Sequence, residues 1–178
     1  MNQAIKSAII VLHAFCLTML VPSILVAEEN SSEQSFEVHK LSFSLGTFSA
    51  FSEMVGFGVK ALALSSALTP EEMELFRPEA EKVAAKWGVQ LYFEPELMIT
   101  DLFSPSITEG KHLFLIYRTG SDGTLDQYLG LKKRKEELIA SDNYTREARE
   151  QISWEFGKLL SYPNSKITSL IEKTNAGK

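Results

Sequence analysis

Four side chains stand where an α/β chain would present chemistry to a ligand: Ser65, Ser66, Glu94 and Arg118. Ser65-Ser66 follows a short apolar run and comes just before Thr69-Pro70-Glu71-Glu72, a helix start. Free backbone N–H groups and the helix dipole at such a start favour an anion. The blander reading is that the serines close a tight loop. Glu94 ends the run Val89-Gln90-Leu91-Tyr92-Phe93, where a carboxylate serves as general base or as a hydrogen-bonding anchor, or simply meets solvent ahead of Pro95. Arg118 ends Leu113-Phe114-Leu115-Ile116-Tyr117 and can fork onto a carboxylate or phosphate, or pair with a nearby acid. Asp101 lies among apolar residues, as an acid reserved for chemistry would, or as a helix cap would.

Other chemistries find little footing. The histidines beyond residue 27 are His39 and His112, both near the amino ends of expected strands and so away from a crevice at the carboxyl ends. No nucleophile elbow, phosphate loop, dinucleotide fingerprint or paired-histidine metal motif occurs, so no metal and no cofactor is expected. Cys16 is the single cysteine and falls in the amino-terminal apolar run, which leaves the rest of the chain without disulfides or thiol chemistry. Lys132-Lys133-Arg134-Lys135 is followed at once by Glu136-Glu137, and i,i+4 pairing makes it a solvated helix face.

The elements that must position these residues centre on Val59 to Pro95. Val59 to Ser66 reads as a strand buried on both faces, and Thr69 to Trp87 as a capped helix with a kink or break at Arg77-Pro78. Gly88 stops that helix, and Val89 to Glu94 returns as a strand. Two apolar runs flanking one helix predict a parallel βαβ unit. Upstream, Phe36 to Leu45 alternates like a strand, and Phe48, Phe51, Met54 and Val55 recur at helical spacing. Leu97 to Phe103 fits a short crossover helix, Leu113 to Arg118 is the most hydrophobic strand candidate, and Thr124 to Gln127 resembles a capping box. The remainder is helical. The expected fold is a single three-layer α/β domain with a mostly parallel sheet of about four strands and a helical C-terminal third.

The chain opens with one lysine, a long apolar run and small residues before Glu28-Glu29, the pattern of a secretory signal peptide over 1–27. A retained anchor is the alternative. A polar leader over 28–35, the domain over 36–174 and a tail over 175–178 complete the expected layout. The formal charge is -5, which with export argues against a nucleic-acid partner. No membrane association is expected once the signal is removed. The chain thus reads as an exported, periplasmic or secreted module that binds a small molecule or a protein partner without catalysis. The competing reading is a small hydrolase or lyase with Glu94 as base and Arg118 or Ser65-Ser66 holding an anion.

Overall fold

A computed structural model of the chain describes residues 39–120 and 123–176, so the expected signal peptide and leader lie outside the described residues. The first element corrects the sequence reading. α1, Lys40–Gly56, is one continuous helix where a strand and then a helix were expected. His39 caps it, its ring nitrogen accepting from the Ser42 amide at 3.3 Å. Alternation of Leu41, Phe43 and Leu45 spans only three apolar residues, whereas Leu41, Leu45, Phe48 and Val55 share a helical stripe. That stripe packs inward, and Phe43 is left 63% exposed.

β1, Leu62–Leu64, leads to α2, Pro70–Trp87, whose first turn is closed by a reciprocal capping box between Thr69 and Glu72. α2 runs on through Pro78 instead of dividing there, and ends at Gly88, whose φ of 64° is the left-handed cap that glycine adopts without a Cβ penalty. β2, Val89–Glu94, follows directly. A long connection, with only the single turn α3, Pro105–Thr108, leads to β3, Leu113–Arg118. The last third is α4, Thr124–Ala140, α5, Arg146–Leu159, and α6, Asn164–Ala176. Gly123 stands at the cap of α4 without a side-chain bond, in place of the capping box expected at Thr124. α5 is capped by Thr145.

The sheet overturns the expected α/β architecture of about four mostly parallel strands. Among the described residues there are six helices and one three-stranded sheet, in the order β1-β3-β2, antiparallel throughout. β1 and β2 do run in the same direction, but β3 fills the slot between them. The reason lies in the connection after Pro95. Leu97, Met98 and Leu102 bury themselves on one face of the sheet without forming a crossover helix. The chain therefore re-enters the sheet at the end where it left, with Glu94 paired to Leu113. The continuous hydrophobicity of β3 reflects a central strand covered on both faces, a condition parallel sheets share but do not own.

Alternate residues of the strands feed two cores. Ala63, Val89, Phe114 and Ile116 face α1 and α2 beside Phe48, Met73 and Phe76. Leu62, Leu113 and Leu115 face the other way, onto Tyr128, Leu131, Ile152, Phe156 and Ile167 of α4, α5 and α6. The result is helix, sheet, helix in three layers. Among the described residues no helix is long and apolar enough to cross a membrane.

Candidate functional site

Glu94 is the most deeply buried of the anticipated site residues, at 1% exposure. As the last residue of β2, it shares the face of Tyr92 and turns toward α4. Tyr128 and Lys132 sit four residues apart on α4, so both reach it from one side of that helix. The Tyr128 hydroxyl donates to Glu94 Oε2 at 2.8 Å, and Lys132 Nζ donates to Oε1 at 2.9 Å. The amide of Glu96 donates to the same Oε1 at 3.1 Å, and Lys132 also reaches the Glu96 carbonyl. Burial, reinforced by the bond to Glu94, pushes the Tyr128 phenol well above its ordinary range. Both carboxylate oxygens are thus committed, and the cluster ties the end of β2 to α4.

Ser65 and Arg118 lie elsewhere. Ser65, just beyond β1, accepts from the Phe114 amide at 2.9 Å and donates to the Ser66 carbonyl at 3.0 Å. It is therefore on the β1 side of β3, whereas Glu94 is on the β2 side. Arg118 pairs with Val89, five residues along β2 from Glu94. At about 3.4 Å per residue the two are roughly 17 Å apart along the strand. Because β3 is antiparallel, its carboxyl end faces the opposite edge of the sheet from those of β1 and β2. The guanidinium lies instead over the turn after α1, where a Cβ on Gly58 would come within 3.2 Å of it. The structure brings Ser65 and Ser66 together and separates them from Glu94 and from Arg118.

Ser65 and Ser66 do line a pocket of about 330 Å³ between β1, the 103–108 segment and the turn after α5. Its walls are mainly apolar, with Phe51, Leu64, Leu97, Phe103 and Leu113 among them. The register adds a polar point: Ala63 and Ser65 bond to β3, so the amide and carbonyl groups of Leu64 turn to the outer edge. Lys60 supplies the cation. Its Nζ donates to the Leu160 carbonyl and lies 5.3 Å from the centre of the Tyr162 ring. Burial lowers the pKa of Lys60 and raises that of Tyr162. Such an enclosure can hold a small apolar body and offer donors to one acceptor group.

Asp101 is gripped by both terminal helices. Arg149 of α5 donates to its carboxylate at 3.0 Å, Ser153 accepts from its amide, and Thr174 of α6 donates to its carbonyl. The acid is a buried ion-pair partner and helix-docking point, which neither of the sequence readings anticipated. His112 donates from Nδ1 to the Pro95 carbonyl, 2.9 Å away, and packs edge-on against Phe93. Among the described residues no group of three or more histidines, cysteines or acids is placed to hold a metal ion. A wider cleft of about 640 Å³ between α4 and α5 is rimmed by charges already in use, notably the Arg134–Glu155 pair at 2.7 Å.

The sequence pointed to Ser65, Ser66, Glu94 and Arg118 and not to Lys60, Tyr128, Lys132 or Tyr162. The i,i+4 spacing of Tyr128 and Lys132 was the available signal for the partners of Glu94, masked by the equally good local partner Glu136. Compared with protein-family models, with curated proteins and with solved structures, the chain gives no match.

Proposed function

We propose that the protein is an exported, non-catalytic module that binds a small, largely apolar ligand in the pocket beside Ser65 and Ser66. The observation that carries this reading is the combination within one pocket of apolar walls, the outward-facing Leu64 amide and the half-buried Lys60, which among the described residues bonds to a carbonyl and not to a carboxylate. A ligand with one acceptor or anionic group and a compact apolar body matches that lining. The reading of a hydrolase or lyase with Glu94 as base is weakened by the two donors and one amide already on that carboxylate, and by the separation from Arg118. Export is supported by the residue pattern over 1–27.

Thermal-shift screening of the purified protein against small aliphatic and aromatic acids, alcohols and amides tests the binding reading. At least one compound should raise Tm, and Ala67→Trp, which fills the pocket, should abolish that rise. Stabilisation that survives Ala67→Trp, or turnover of a stabilising compound, would contradict the proposal. Intact mass of protein recovered from its native compartment should show a chain starting at Glu28.

A further inference from the structure

We propose that the cleft enclosed by the 99–107 segment, α4, α5 and α6 is a second binding site, for a molecule with an anionic head and an apolar body. The cleft holds about 600 Å³. Phe103 and Ile107 form its wall against the Ser65–Ser66 pocket, so the two spaces are neighbours divided by two side chains. Leu102 and Leu170 extend the apolar lining.

The charge of this cleft is opposite to that of the chain. The whole protein carries a formal charge of -5, yet the cleft is lined by Lys135, Arg149 and Lys173 against one acid, Asp101. Arg149 and Asp101 neutralise each other at 3.0 Å, and Arg149 also donates to Asn175. That leaves the two lysines. Lys135 is half-buried, donates to the Ile99 carbonyl at 2.6 Å and lies 5.7 Å from the centre of the Tyr144 ring, with no carboxylate bonded to it among the described residues.

Holding an ammonium in part away from water is unfavourable, and burial lowers the pKa of Lys135 against the opposing pull of Glu136 and Glu96. An anionic head placed between Lys135 and Lys173 would supply a directly bonded anion and occupy the donors that Lys135 does not spend on Ile99. The apolar body would lie against Leu102, Phe103, Ile107 and Leu170. The site does not depend on the Ser65–Ser66 pocket being occupied.

Decanoate and decyl phosphate serve as probes, with decanol and decyltrimethylammonium as neutral and cationic controls, in calorimetric and methyl-NMR titrations of the purified protein. Both anions should bind, with decanol and the cation at least about tenfold weaker. The methyl groups of Leu102, Ile107 and Leu170 should shift. Lys135→Met should weaken anion binding by about tenfold or more, Lys173→Met by less, and Lys133→Met, on the solvated side of α4, not at all. The relative affinity of carboxylate and phosphate identifies the preferred head group, and either preference supports the site. Equal binding of decanol, no binding at millimolar concentration, or shifts confined to Leu64 and Leu113 would each overturn the proposal. If Lys135→Met does not fold, the wild-type methyl shifts and the Lys173→Met affinity decide.

Discussion

Glu94 shows how a buried acid can be structural when both of its oxygens have partners. Removing one donor leaves an unpaired acceptor inside the protein, and that desolvation cost exceeds the net worth of the bond itself. Tyr128→Phe should therefore cost about 1–3 kcal/mol at pH 7. Its pH dependence has a definite sign. Burial and then the Glu94 bond raise the phenol pKa in the folded protein above its ordinary value of 10.0. The contribution is complete below pH 10.0 and is lost as pH rises above it, because the unfolded chain releases the phenol proton first. In urea melts from pH 7 to 11, the gap between wild type and Tyr128→Phe should shrink above about pH 10. A gap constant over that range would mean the hydroxyl is not held protonated by its surroundings. The importance of Glu94 was visible in the sequence, because an acid ending an apolar strand is conspicuous. Its partners were not, since Lys132 has a local acid at Glu136 and nothing in the residue order favours the distant one.

At the scale of elements, punctuation decided what could be read. Thr69-Pro70, Gly88 and Pro95 marked α2 and β2 closely, and β3 stood out by its unbroken apolar run. α1 was illegible as one helix because short alternation in Leu41 to Leu45 imitates a strand. The direction of β3 was hidden because an apolar segment such as Leu97 to Phe103 looks alike whether it crosses the sheet or folds back on it. The packing of the terminal helices gives a sharper test than their boundaries. A Cβ on Gly157 of α5 would fall 2.7 Å from Ile167 Cγ1 of α6, whereas one on Gly130 of α4 meets nothing within 4 Å. Alanine is favoured over glycine in a helix by about 1 kcal/mol, and overpacking costs about 1–3 kcal/mol. Gly130→Ala should therefore stabilise and Gly157→Ala destabilise in chemical denaturation. Equal gains at both positions would mean that α5 and α6 are not in close contact.

For the whole molecule, the placement of every candidate residue follows from β3 lying between β1 and β2. That position separates Glu94 from Ser65, sends Arg118 to the opposite edge and leaves the outer side of β1 open to the Ser65–Ser66 pocket. Amide hydrogen exchange measures it directly. In a central antiparallel strand, successive N–H groups point alternately to the two neighbours, so Phe114, Leu115, Ile116 and Tyr117 should all be strongly protected. Leu64, whose amide faces outward from β1, should exchange much faster than Ala63. Uninterrupted protection from Phe114 to Tyr117 is the result expected. Protection at every second residue of that run, with Ala63 and Leu64 equally slow, would place β3 at an edge and contradict the arrangement of both pockets.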